Sequence, residues 1–143
     1  MRALLDVNVL LALFDSDHAC HGAARRWLEG NIAAGWASCA ITQAGFIRII
    51  SGARYPAGIS PVEAFGRLAE AVATPRHQYW PCDLALTDPA IAAGRVLGAG
   101  QVTDSYLLAL AVGHGGRFVT FDRRVALAAV PAARADHLVV LAG

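Results

Sequence analysis

The segment RALLDVNVLLALFD, residues 2–15, constrains the fold most, because it is apolar almost throughout and yet has an acid, Asp6, within it. It is too short and too interrupted by aspartate to span a membrane, which takes roughly 20 apolar residues. It also lacks the basic region of a signal peptide beyond Arg2. The segment therefore predicts a buried strand over 2–5 that runs directly into a buried helix over 7–14, with Asp6 at the carboxyl end of the strand.

Strands and helices are predicted to alternate along the rest of the chain. One helix start is clear, because Ser60 suits the N-cap, Pro61 the first turn and Glu63 a capping box, in a helix that runs to Ala73. Further helices are predicted over 21–31, from Thr42 as N-cap to Ile50, from Asp88 and Pro89 onward, and over 103–112; strands are predicted over 36–41, 77–80, 117–121 and 137–141. This alternation predicts a single α/β domain over residues 1–143, a three-layer sandwich around a mainly parallel sheet.

The composition indicates a large buried core and excludes a simple polycation. Of the 143 residues, 56% are hydrophobic and 16% are charged, which favours a sheet buried between helices. Because the formal net charge is only +1, any contact with a nucleic acid would have to come from a local patch. The three cysteines are odd in number and widely spaced, which predicts reduced thiols in a cytoplasmic protein.

Three aspartates are candidates for a common site. Asp6 and Asp122 follow predicted strands, and the functional crevice of an open parallel sheet lies outside the carboxyl ends of its strands. Asp104 falls in the first turn of a predicted helix, a position that the helix dipole alone would favour. A purely structural role for Asp6 also stays open.

Convergence of these acids would call for a cation, because carboxylates held close together repel one another. Oxygen ligands favour Mg²⁺ or Mn²⁺ over zinc. Such an ion activates water and neutralises the charge that grows on a phosphodiester, which suggests metal-dependent hydrolysis. Asn8 would then orient Asp6 or bind the substrate.

Four segments resemble, in order along the chain, the motifs of PIN-domain ribonucleases, specifically the VapC-type toxins of bacterial toxin-antitoxin pairs. They are LLDVNVLLALF at 4–14, TQAGFIR at 42–48, TDSYLLALAVGHGG at 103–116 and VTFDRR at 119–124. The resemblance implies a PIN-like fold and RNA hydrolysis at a Mg²⁺ or Mn²⁺ site of Asp6, Asp104 and Asp122, with Asn8 and Thr120 in support. It also implies a cytoplasmic homodimer, without membrane attachment, inhibited by a cognate antitoxin that docks near the acidic crevice.

One position departs from that family pattern. Many PIN nucleases have a Glu in the helix after the second strand, where TQAGFIR has Gly45. Gln43 or a water could take its place, so whether one or two metal ions bind stays open. The alternative interpretation is a catalytically impaired PIN-fold module that binds RNA or protein.

Other classes of protein fit less well. An Asp after the first strand also resembles haloacid-dehalogenase-like phosphatases and receiver domains, but both imply a lysine near the phosphoryl group, and all twelve basic residues here are arginine. The P-loop motif is missing as well. A zinc site at His18, Cys20 and His21 has no second pair of ligands elsewhere, so a loop entering the next helix is the preferred interpretation.

Basic and aromatic residues give weaker signals. Arg123 and Arg124 could contact RNA phosphates, and Arg48 and Arg117 could join them, although solvated arginines fit the pattern equally well. The three tryptophans are expected to pack in the core or at a partner interface rather than stack on bases. Specificity is expected to lie in loops such as residues 51–59, which identify neither the RNA nor the antitoxin.

Overall fold

Five parallel strands form the centre of the protein. In the computed structural model, which describes residues 1–56 and 58–143, they are β1 (Ala3–Leu5), β2 (Trp36–Ser38), β3 (His77–Tyr79), β4 (Arg117–Thr120) and β5 (Leu138–Val140). Their order in the sheet is β3-β2-β1-β4-β5, and every pairing is parallel. The predicted α/β class with a mainly parallel sheet is confirmed.

Helices cover both faces of this sheet. They are α1 (Val7–Phe14), α2 (His21–Asn31), α3 (Ala40–Ile50), α4 (Pro61–Val72) and α5 (Val102–Gly113). Because alternate strand residues point to opposite faces, Leu5 and Val119 pack with α1 to α4, whereas Leu4 and Phe118 pack with α5. Of the helices in the described residues, none is both long and apolar enough to cross a membrane.

The register of the two central strands positions the candidate site. Leu4 pairs with Phe118 and Leu5 with Val119, so Asp6 lies beside Thr120 at the carboxyl edge. A backbone hydrogen bond of 2.9 Å from Asp6 N to Val119 O continues the pairing past the end of β1. The helix α1 begins at the next residue, so no loop separates Asp6 from either element.

The start of α3 differs from the sequence prediction. The strand β2 ends at Ser38 and α3 begins at Ala40, so the strand predicted over 36–41 is too long and Thr42 is not the N-cap. Thr42 lies instead within the first turn, where its Oγ1 accepts a hydrogen bond of 3.0 Å from Cys39 N. A threonine hydroxyl can bond the free amides of a helix start both from the N-cap and from the third helical position. The local sequence therefore does not distinguish between these two positions for Thr42.

The helix predicted from Asp88 onward was wrong, since the described residues there form turns and short 3-10 helices. Asp88 Oδ1 accepts a hydrogen bond of 2.8 Å from Ala90 N and closes only a turn. Two 3-10 helices follow, Ala93–Arg95 and Ala99–Gln101. Three glycines lie in this segment, and each destabilises an α-helix by roughly 1 kcal/mol relative to alanine.

Candidate active site

Asp6 and Thr120 are hydrogen-bonded where β1 and β4 end. Thr120 Oγ1 donates a bond of 2.6 Å to Asp6 Oδ2, and Val7 N donates one of 2.7 Å to Asp6 Oδ1. Each carboxylate oxygen therefore has its own donor, one from the sheet and one from the first amide of α1. These two bonds hold the Asp6 carboxylate in a defined orientation.

Asn8 belongs to the same network. Its Nδ2 donates to Thr120 Oγ1 at 3.2 Å, and its Oδ1 accepts from Phe121 N at 3.2 Å. Asp122 N also donates to Thr120 Oγ1, at 3.0 Å. A hydroxyl has one donor and two acceptor sites, so these contacts leave the Thr120 proton for Asp6. The structure thus brings Asn8 and Thr120, both predicted to support the acids, into one network with Asp6.

Asp6 lies in surroundings that oppose its ionisation. Its residue is only 8% exposed. Burial raises the pKa of its carboxyl above the usual range, the hydrogen bonds from Thr120 and Val7 act in the opposite direction, and the charge of Asp122 raises the pKa further. The ionised form of Asp6 would therefore be stabilised by a nearby cation.

Asp104 faces the same crevice from the other side of the sheet. It lies in the first turn of α5. Burial, followed by the negative charges of Asp6 and Asp122, raises the pKa of Asp104 to about 6, although Arg124 acts to lower it. A helix N-terminus favours the ionised form, so the raised pKa means that burial and repulsion outweigh the helix dipole here.

Asp122 is held by Arg124, two residues further along the chain. Arg124 N and Nε donate to Asp122 Oδ1 at 2.8 and 3.1 Å, and Nη2 donates to Oδ2 at 3.0 Å. The guanidinium bonds, followed by the backbone amide bond, lower the pKa of Asp122. This ion pair was not predicted from the sequence, although an Asp that caps the amide two residues later in a turn is a signal that indicates such a contact.

The three acids lie close enough for their charges to interact, but they do not converge on one point. Electrostatic repulsion links Asp104 to both Asp6 and Asp122. Across residues 1–56 and 58–143, however, no group of three or more His, Cys, Asp or Glu side chains is arranged to hold a metal ion. The donors fit a hard divalent cation in kind, because all of them are carboxylate oxygens that repel one another.

Close packing fills the position where the family pattern has a glutamate. A Cβ on Gly45 would lie only 2.7 Å from Val7 Cγ2, so α3 and α1 approach each other here without room for a side chain. Gln43 does not turn into this space, because its Nε2 donates to Ser38 Oγ at 2.9 Å. Ser38 Oγ in turn lies 2.8 Å from His77 Nε2. Near Gly45, the space between α3 and α1 is therefore filled by the Val7 side chain, and the Gln43 amide is already hydrogen-bonded.

The predicted basic residues do not all lie near the acids. Arg123 is exposed and directly follows Asp122. Arg117 lies at the opposite edge of the sheet, where β4 begins; its Nη2 donates to Asn31 Oδ1 at 3.0 Å and its guanidinium lies 5.1 Å from the Trp27 ring centre. Arg117 is therefore engaged by Asn31 and Trp27 at the other end of β4 from Arg123, which favours a structural role for it over contact with RNA phosphates.

Other candidates from the sequence serve the fold. Trp36 and Trp80 are buried, as expected of core residues. His18 Nδ1 accepts a hydrogen bond of 3.0 Å from Cys20 N, and His21 Nδ1 lies 2.7 Å from a carbonyl oxygen of α1. These contacts are typical of a loop that enters a helix.

As the pH rises from about 4 to about 6, the free energy of unfolding of the metal-free protein is expected to fall relative to that of Asp104→Asn. The pKa of Asp104 is raised from its ordinary value of 3.8 to about 6 in the folded protein, so the folded state binds an extra proton in this range and the contribution of Asp104 to stability declines as that proton leaves. Asp104→Asn should lack this contribution. Urea unfolding with EDTA between pH 4 and 7 measures both slopes, and identical slopes would contradict the raised pKa.

Comparisons with known sequences agree on one family. The family model described as PIN domain matches residues 3–131. Ribonuclease VapC44 of Mycobacterium tuberculosis is 56% identical over 142 residues, which covers 99% of this chain and 100% of that protein. Ribonuclease VapC39 of the same organism is 41% identical over 128 residues, which covers 88% of this chain and 92% of that protein.

Solved structures share the architecture. VapBC2 from Rickettsia felis, bound to a DNA fragment from its promoter, has a chain that matches with a TM-score of 0.68 at 13% identity, covering 99% of this chain and 100% of that one. VapC20 of Mycobacterium tuberculosis, described as a sarcin-ricin loop cleaving toxin, matches with a TM-score of 0.61 at 16% identity, covering 92% and 98%. At these identities the likeness shows the fold alone.

Proposed function

This chain belongs to the PIN domain family, and from that premise we propose that it is a metal-dependent endoribonuclease acting as the toxin of a type II toxin-antitoxin pair. The observation that carries the proposal is the electrostatic coupling of Asp104 to Asp6 and Asp122 in one crevice. Acids with perturbed pKa values and mutual repulsion are typical of functional sites. Similarity over almost the full length to proteins named as VapC ribonucleases supports RNA as the substrate.

We assign Asp6, Asp104 and Asp122 as the residues that would hold Mg²⁺ or Mn²⁺. When bound, such an ion lowers the pKa of a coordinated water and neutralises charge on the phosphodiester. The all-oxygen donor set and the repulsion that raises the pKa of Asp104 to about 6 support this assignment. The contact between Gly45 and Val7 removes room for a further acid, which favours one ion over two.

The side chains around the acids supply orientation and charge. The hydrogen bonds from Thr120 and Val7 hold the Asp6 carboxylate in place. A cation bound beside Asp104 would offset the repulsion that raises its pKa and so favour the ionised carboxylate. The exposed Arg123 is placed to contact an RNA phosphate beside Asp122. We expect in-line hydrolysis to leave 5'-phosphate and 3'-hydroxyl ends.

A cognate antitoxin and a second copy of the chain are the proposed protein partners. The structural neighbours include VapBC2 and a toxin-antitoxin complex from Klebsiella pneumoniae. In this chain, Leu86 and Val102, at 60% and 43% exposure, line an apolar surface beside the first turn of α5, which contains Asp104. Apolar side chains exposed together favour contact with another protein, here close to the crevice.

The proposed site of action is the cytoplasm, where RNA substrates are available. The described residues of 51–59, where RNA specificity was expected, lie away from the acids, because Tyr55 Oη donates a hydrogen bond of 2.6 Å to Asp15 Oδ2 at the end of α1 opposite Asp6. Ala57, within that loop, lies outside the described residues. We therefore assign specificity for one RNA to loops nearer the carboxyl edge of the sheet.

Cleavage of purified total RNA tests the proposed function. With Mg²⁺ or Mn²⁺ we expect discrete cuts, and we expect them to disappear with EDTA and in Asp6→Asn, because both changes remove the assigned metal site. Mapping the new ends would identify the target. If the folded wild-type protein leaves RNA intact under all conditions, the alternative of a PIN-fold module that binds RNA or protein replaces the nuclease.

A further inference from the structure

Arg124 is bound to Asp122 through three hydrogen bonds. Two come from the guanidinium and one from its own backbone amide, at distances from 2.8 to 3.1 Å. Asp122 Oδ1 accepts two of these bonds and Oδ2 accepts the third. A carboxylate oxygen has two lone pairs, so the guanidinium and amide occupy most of the positions through which Asp122 could bind a metal ion.

The positive charge of Arg124 also acts on Asp104, because it lowers the pKa of that carboxyl. The neighbouring Arg123 differs, because no ion pair involves its side chain within residues 1–56 and 58–143. Arg124 therefore provides the crevice with a positive charge from the protein itself.

The exposure of the pair is that of a weak surface contact. The side chain of Arg124 is 79% exposed, and that of Asp122 is 21% exposed. An ion pair with such an exposed cation is weak and readily exchanged, because water solvates the released guanidinium. A buried Arg124 would instead have indicated a permanent structural contact.

We propose that Arg124 is a built-in competitor of the divalent cation, which neutralises Asp122 in the metal-free protein and must be displaced from it when the metal ion binds. The proposal rests on the proposed function, because it takes Asp122 as a metal ligand. Arg124 is thus a positioning residue that sets the affinity of the crevice for metal. The exchange replaces a cation of the chain with a cation from solution and breaks no covalent bond.

Calorimetric titration of the metal-free full-length protein with Mn²⁺ tests this inference. Arg124→Gln removes the competing charge, and we expect it to bind Mn²⁺ about three- to fivefold more tightly than wild type. Arg123→Gln changes the net charge equally without touching Asp122, so its affinity should stay within about twofold of wild type. Arg124→Lys, which keeps the charge but loses the planar fork, should give an intermediate affinity.

The controls separate failure of this inference from failure of the proposed function. If Asp6→Asn weakens Mn²⁺ binding but Arg124→Gln binds no more tightly than Arg123→Gln, Arg124 is not a competitor and the metal site stands. If neither the wild type nor Arg124→Gln binds Mn²⁺ at millimolar concentration, both proposals fail. Far-UV circular dichroism confirms folding of each variant, which the exposure of Arg124 leads us to expect.

Discussion

Asp104→Asn is expected to lower the rate of RNA cleavage by about 100-fold or more while the protein stays folded. The carboxylate of Asp104 is one of three charges that define the crevice, and Asn has nearly its shape without the charge. The fold should tolerate the change, since ionised Asp104 is disfavoured by burial and by the charges of Asp6 and Asp122.

Single-turnover cleavage of a mapped RNA target with Mn²⁺ measures this loss, beside thermal unfolding of both proteins. Asp83→Asn is the matched control, because Asp83 contacts His114 Nε2 at 3.0 Å, just past the opposite end of α5. Its cleavage rate should stay within about twofold of wild type, as for other exposed pairs. A wild-type rate in Asp104→Asn would remove Asp104 from the site.

Gly45→Ala is expected to lower the free energy of unfolding by about 1 to 2 kcal/mol, because a contact as short as that of the new methyl with Val7 falls in the upper part of the roughly 1 to 3 kcal/mol that overpacking a core costs. The added methyl would lie 2.7 Å from Val7 Cγ2, and the branched valine side chain has little freedom to turn away within α1. The better helix propensity of alanine, worth roughly 1 kcal/mol, offsets only part of this loss.

A second substitution tests whether Val7 is the cause. In a Val7→Ala background, Gly45→Ala should become neutral or stabilising, because the space beside α1 is then free. Gly66→Ala is the control, since a Cβ at Gly66 in α4 meets no described atom within 4 Å, and it should stabilise by roughly 0.5 to 1 kcal/mol. Urea unfolding compares the wild type with Gly45→Ala, Val7→Ala, the double variant and Gly66→Ala. Wild-type stability in Gly45→Ala alone would show that α1 moves aside freely.

Local determinants of the fold were predicted well from the sequence. Glu63 N donates to Ser60 Oγ at 3.2 Å, as the predicted N-cap requires, and α1 spans the predicted 7–14. The predicted capping box does not close, because the Glu63 carboxylate accepts a hydrogen bond from Arg67 instead. The edge at which the acids gather also follows from local information, because parallel strands end on the same side of the sheet. The catalytic roles of Asp6, Asp104 and Asp122 stay predictions.

Features that depend on distant partners or on competing local contacts were beyond the sequence. Nothing near Gly45 in the chain indicates that Val7 packs against it. Thr42 suits two positions at a helix start, and only the end of β2 decides between them. The three-bond contact of Asp122 with Arg124 was also not predicted, because a solvated arginine fits the same sequence pattern.

The position of β1 in the middle of the sheet has a consequence for how such a protein can diversify. From β1 the chain moves outward to β2 and β3 with α1 to α4 on one face, and it returns to β4 by α5 on the other face. The connection after β1 leads toward β2 and the connection after β4 leads toward β5. A gap therefore opens between the carboxyl ends of β1 and β4 without any long loop. The position of the acids at this gap therefore depends on the order of the strands and not on the loops. Peripheral loops can acquire new RNA targets while the acids stay in place.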